Sequence, residues 1–149
     1  LFTATLAVYY LPKLSELKSA RETRAEILQG YKLIVPVVAL CGFLIYQLRG
    51  SIIPLLFTSE FAEMEVLFFW QMLGDTIKIS SWLLAYVLSA RAMVSIYVFS
   101  EVLFSCLFLF LTYSLTDYLG LEAASVAHAI NYSLYLAFMF LYLRYKKLI

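Results

Sequence analysis

Charge is scarce in this chain. Of 149 residues, 14% are charged, against about 25% in soluble domains, and the eleven bases nearly cancel the ten acids. So few charges cannot clothe a water-facing surface, which excludes an ordinary soluble domain. A net charge of +1 says nothing about nucleic acid, but no basic cluster interleaved with aromatics occurs, so no nucleic-acid partner is expected. The only cysteines, Cys41 and Cys106, fall inside apolar runs, where a thiol behaves as a small apolar side chain. No disulfide framework, metal site or cofactor is expected. No C-x-x-C, H-E-x-x-H, G-x-S-x-G or phosphate-loop glycine pattern occurs. The chain begins Leu1, Phe2, Thr3, with neither an initiator Met nor a basic region ahead of an apolar stretch, so residues 1–11 do not read as a signal peptide. They read as the tail of a truncated helix, and the expectation is a C-terminal fragment of a longer protein.

What the chain does have is apolar surface: 64% of its residues are hydrophobic and 17% aromatic, with a mean hydropathy of +0.88. This is the composition of an integral membrane protein. A spanning helix needs about 20 mostly apolar residues, and four runs qualify, at 31–48, 64–90, 94–116 and 121–143. The predicted fold is an all-α polytopic helix bundle with short connections. Ahead of the first full run, "PKLSELKSARETRAEILQG" at 12–30 keeps a thin apolar stripe among charges and reads as a helix lying on the membrane surface.

Basic residues set the predicted orientation. Lys13, Lys18, Arg21, Arg24, Lys32, Arg91, Arg144, Lys146 and Lys147 fall on one side and Arg49 alone on the other, nine against one. The rich side, with the C-terminus, is read as cytoplasmic. The stretch "RGSIIPLLFTSEF" at 49–61 is expected to be a short interfacial turn, with Thr58 or Ser59 capping the next span. Pro36 and Gly42 permit a packing bend in the first full span.

Five polar residues lie at costly depth within the runs: Asp75, Lys78, Glu101, His128 and Asn131. An ionisable group at mid-bilayer costs about 2.5–3.5 kcal/mol on insertion scales. Helical spacing gathers Gln71, Gly74, Asp75, Lys78, Ser81, Trp82, Ala85 and Ser89 on one side of the second full span, a small-and-polar face that must look at protein or water. Asp75 and Lys78, three residues apart, are expected to pair. Because a buried ion pair seldom outperforms packed apolar residues, the pair is retained either to fix helix rotation or for function. Glu101 and His128 sit on faces of the third and fourth spans that could border a hydrated cavity, His128 serving equally as a packed ring or a proton carrier. Trp82, Tyr132 and Tyr135 lie deep enough to line a sugar-binding surface or simply to pack. Small residues at Gly74, Ser81, Ala85, Ala123, Ala124 and Ala127 allow close helix approach.

Three stretches carry a resemblance: "YYLPKLSEL" from Tyr9, "IIPLLFTSEFAEMEVLFFWQMLGDTIKISSWLLAYVLSA" from Ile52, and "FSEVLF" from Phe99. Together they resemble the C-terminal part of Wzx-type flippases, the polysaccharide-transporter group that includes lipid III flippases and O-antigen translocases of the multidrug/oligosaccharidyl-lipid/polysaccharide superfamily. The resemblance implies a MATE-like bundle of about twelve helices in two pseudo-symmetric halves. It implies an undecaprenyl-diphosphate-linked oligosaccharide as substrate, moved from the cytoplasmic to the periplasmic leaflet of the bacterial inner membrane by alternating access. It places the chain among membrane lipid and other glycan-assembly membrane proteins. Lys78 matches the cationic cavity described for the family, and Asp75 and Glu101 match its acids. Gln71, Asp75, Lys78, Trp82, Glu101, His128 and Asn131 are accordingly the candidate cavity residues. Two other classes compete. A cation-coupled multidrug exporter would favour unpaired acids, against Lys78. A membrane-embedded glycan-assembly enzyme would need a nucleophile or paired carboxylates, and none is so arranged.

Overall fold

A computed structural model describes residues 2–56 and 59–149, with side chains for 8–56, 61 and 63–149. Every regular element among them is helical: α1 (Phe2–Glu16), α2 (Ala20–Leu56), α3 (Leu67–Ala90), α4 (Val94–Leu119) and α5 (Ala123–Tyr145), with 3-10 turns at Ser59–Val66 and Gly120–Glu122. The chain is an all-α membrane protein.

Helix α3 is the axis of the bundle, packed against α5, α2 and α1, while α4 lies mainly on α5. The sequence of α5 explains its close seating. Ala123, Ala127, Asn131, Tyr135, Met139 and Leu143 recur every fourth residue and all are buried, forming one ridge whose side chains grow from alanine at one end to leucine at the other. The large end meets the C-terminal half of α3, where Leu83, Leu84, Val87 and Leu88 join Tyr135, Met139 and Leu143 in the apolar core. Tyr10 and Leu14 of α1 and Ile27 and Ile34 of α2 complete it. Leu84, Val87 and Leu88 are thus inside, whereas Leu73, nearer the start of the same helix, is exposed.

The outside is apolar too. Leu33, Val37, Leu40 and Phe43 of α2 and Val98, Val102, Leu109 and Phe110 of α4 are exposed, an arrangement that suits hydrocarbon and not water. By length and hydropathy, Ala20–Leu56 and the stretch Val94–Tyr145 that holds α4 and α5 qualify as spans; α3, with its polar row, falls outside that set.

The helix boundaries differ from the sequence expectation in three places. The first break comes at residues 17–19 rather than at Pro12, which lies inside α1. Ser19 starts α2 with a capping box: its Oγ accepts from the Glu22 N–H at 3.1 Å and a Glu22 carboxylate oxygen accepts from the Ser19 N–H at 3.3 Å. From there α2 runs unbroken through Pro36 and Pro54 to Leu56, so residues 20–30 of the expected surface helix, the first span and the first part of the expected interfacial turn are one helix. The expected cap at Thr58 or Ser59 lies outside the described residues and side chains, and a 3-10 turn precedes α3 there.

Short links hold α3, α4 and α5 in antiparallel succession. After α3 the backbone turns left-handed at Ala92 (φ 55°), where the Ala92 N–H donates to Ser89 O and the Met93 N–H to Leu88 O, a Schellman ending. Arg91 beside it donates to Thr23 Oγ1 at 3.0 Å, and Tyr31 donates to Ser80 O at 2.6 Å. Both bonds lock α2 to α3.

Candidate polar cavity

The N-terminal half of α3 carries the polar residues, and α5 supplies what they meet. Gly74 is the key to the encounter. The ring of His128 lies against it where a Cβ would stand, with Ala129 N at 3.2 Å from the same point. A side chain at position 74 would collide with the imidazole, and from this close seat His128 Nε2 reaches Asp75 Oδ1 at 3.1 Å. Gln71, one turn earlier, places its amide nitrogen 3.4 Å from both carboxylate oxygens. Asp75 is thus held between Gln71 of its own helix and His128 of the next.

Lys78 is held differently. Its Nζ sits 5.1 Å from the ring centre of Trp82 and 5.1 Å from that of Tyr132, a cation between two aromatic faces. The expected Asp75–Lys78 ion pair is therefore replaced. Among the described residues, the carboxylate's close partner is His128 and the ammonium's neighbours are rings. The reason lies in the Gly74 notch, which admits a cross-helix partner to Asp75, while Trp82, one turn on, offers Lys78 a face.

Opposite, α4 contributes Glu101, which accepts from the Tyr135 hydroxyl at 2.7 Å. Tyr135 is 1% exposed and seated edge-on against Phe104. His128 in turn packs edge-on against Phe108 and Tyr132. These side chains border a cavity of about 360 Å³ lined by Lys78, Glu101, Ser105, His128, Asn131 and Tyr132, with Phe104, Phe108 and Leu109 as its apolar wall. Asn131 is 4% exposed, and its Oδ1 has no hydrogen-bond partner among the described residues.

All seven predicted site residues gather around one place. Lys78, Glu101, His128 and Asn131 line the cavity; Asp75 stands behind His128, Gln71 behind Asp75, and Trp82 against Lys78. Ser105 and Phe108 on the wall share the helical face of Glu101, as their spacing predicts, whereas sequence reasoning gave Gly74 close approach without its partner. It also missed the Arg49–Glu65 ion pair at 3.1 Å, remote from the cavity, for which no spacing signal existed across sixteen residues of chain.

Over 133 residues the chain is 32% identical to the lipid III flippase of Escherichia coli strain K12, and to the same degree to the lipid III flippase of Shigella flexneri. The chain is similar to lipid III flippases. The match covers 89% of this chain and 32% of each relative, so the chain spans about a third of the length of these flippases. No protein-family profile matches it, and no solved structure does. Both relatives are named as flippases.

Proposed function

We propose that the chain is the C-terminal part of a Wzx-type flippase that carries an undecaprenyl-diphosphate-linked oligosaccharide, lipid III or an O-antigen repeat unit. Movement runs from the cytoplasmic to the periplasmic leaflet of the bacterial inner membrane by alternating access, with the chain's C-terminus cytoplasmic. The reading rests on the similarity to two lipid III flippases over most of the chain. The observation that gives it chemistry is Lys78 at the cavity wall, cradled by rings and not by a carboxylate.

A diphosphate crossing about 30 Å of hydrocarbon must exchange water for cations and donors, while its polyprenyl tail stays in lipid. Rings attract an ammonium through their quadrupole without cancelling its charge. An arriving phosphate therefore meets Lys78 still cationic, with no ion pair to break first. The aromatic wall and Asn131 suit the sugar: flat apolar faces for C–H surfaces, an amide for hydroxyls. His128 and Asp75 are the pair whose proton could follow the transport cycle.

The test is glycan export in cells depleted of the native flippase. Lys78→Ala abolishes export at normal protein level, and Lys78→Arg retains part of it. Normal export by Lys78→Ala would remove the phosphate role.

A further inference from the structure

A second and larger cavity lies apart from the polar one. Helices α2 and α5 both pack on α3 far more than on each other, and the gap between them is a groove of about 500 Å³. That is within the range of small-molecule sites. Its walls are Ile27 and Leu28 of α2, Leu84 of α3, and Leu136 and Phe140 of α5, all apolar, and its one charged lining residue is Arg24. Along α2 the lining runs from Arg24 to Tyr31, a depth of about 10 Å.

Arg24 sits at the end of the bundle that also bears Arg91, which binds the neighbouring Thr23, and the C-terminal Lys146 and Lys147 before Ile149, itself a lining residue. Arg24 is exposed and has no ion-pair partner among the described residues. Of the acids nearby, Glu22 is engaged with Ser19, and Glu26 projects from another side of α2. The groove is thus a hydrocarbon slot with an unpaired guanidinium at its mouth.

We propose that this groove binds an anionic phospholipid, one acyl chain lying between α2 and α5 and its phosphate on Arg24. An acyl chain matches the apolar walls, and a basic opening between transmembrane helices selects acidic head groups. A zwitterionic lipid fills the same slot with less attraction, because its own ammonium opposes Arg24. The inference is independent of the flippase reading, since neither Lys78 nor its cavity takes part.

The experiment uses the full-length protein in nanodiscs of equal parts phosphatidylcholine and phosphatidylglycerol, with retained lipid read by native mass spectrometry. Wild type retains phosphatidylglycerol in preference to phosphatidylcholine. Arg24→Gln, a change at an exposed side chain, lowers that preference by about fivefold, and Arg24→Lys keeps it. Ala137→Trp, which fills the groove, removes the retained lipid while helical circular dichroism stays unchanged. Equal retention of the two lipids by wild type overturns the proposal, as does indifference to Arg24→Gln. A photo-crosslinker at Leu136 that captures protein in place of lipid also overturns it, showing the groove closed by another segment or a second copy.

Discussion

Gly74→Ala tests the seating of His128 directly, because two effects of known sign oppose each other there. Alanine is the better helix former by about 0.8–1.0 kcal/mol. At Gly74, however, its methyl lands on the His128 ring, and overpacking of a tight contact costs about 1–3 kcal/mol. The net expectation is a loss of up to about 2 kcal/mol. Gly50→Ala in α2 is the matched control: nothing lies within 4 Å of its Cβ position, so only the propensity term acts and stability rises by up to about 1 kcal/mol. His128→Ala removes the obstructing ring. In that background the ring contacts are gone, Ala129 N at 3.2 Å remains, and most of the cost of Gly74→Ala should vanish. The measurement is unfolding of the full-length protein in mixed micelles against a denaturing detergent, followed by far-UV circular dichroism, for the four members of the cycle. A coupling of about 1–3 kcal/mol is expected. Additivity within about 0.5 kcal/mol would refute the contact. The single Gly74→Ala variant should also lose export, since the displaced imidazole no longer reaches Asp75.

Two further changes act through single local features. Ala92→Gly relieves a left-handed residue at the end of α3 and should raise stability by about 0.5–1 kcal/mol in the same unfolding assay; a loss would show that the Schellman ending is misassigned. Asn131→Leu removes a buried carbonyl oxygen that has no partner among the described residues and should stabilise the protein by about 1–3 kcal/mol while lowering export of the sugar-bearing substrate. A destabilised variant would mean that Oδ1 is satisfied in the folded protein.

Much of the helical content was readable because membrane helices announce themselves by uniform hydropathy, and a polar row within one, such as Gln71 to Ser89, has to face inward. Helix ends were less readable. Pro12, Pro36 and Pro54 look like breaks, yet all three lie within helices. The true start of α2 was written in the S-A-R-E capping box, a four-residue signal easily lost among the charges of 12–30. Partner choice within the site was not readable at all. Spacing makes Asp75 and Lys78 neighbours on one helix, but which of them takes an ionic partner depends on what α5 presents fifty residues later. The every-fourth-residue ridge of α5 was visible in principle, from Ala123 and Ala127 to Met139 and Leu143. What masked it is that α5 is apolar on its outer face as well, so hydrophobicity alone gives it no sidedness.

The replacement of the Asp75–Lys78 pair changes what the polar face of α3 can do. Two charges paired along one helix move with that helix and report nothing about its neighbours. With Asp75 bonded to His128, and Lys78 resting partly on Tyr132, both charges of α3 are tied to α5. Any displacement of α3 against α5 in this half must part the carboxylate from the imidazole and the ammonium from one of its rings. At the other half, Leu83 to Leu88 with Tyr135, Met139 and Leu143 form packed core, which resists sliding because close packing leaves no free volume. The helix pair is therefore stiff at its apolar end and joined at its polar end by groups that an anion or a proton can uncouple. An anion binding Lys78 competes with the Tyr132 ring, and a proton on Asp75 weakens the hold on His128. Both would loosen the same contact between the same two helices, so the polar residues that are costly to bury are also the ones placed to make that contact conditional.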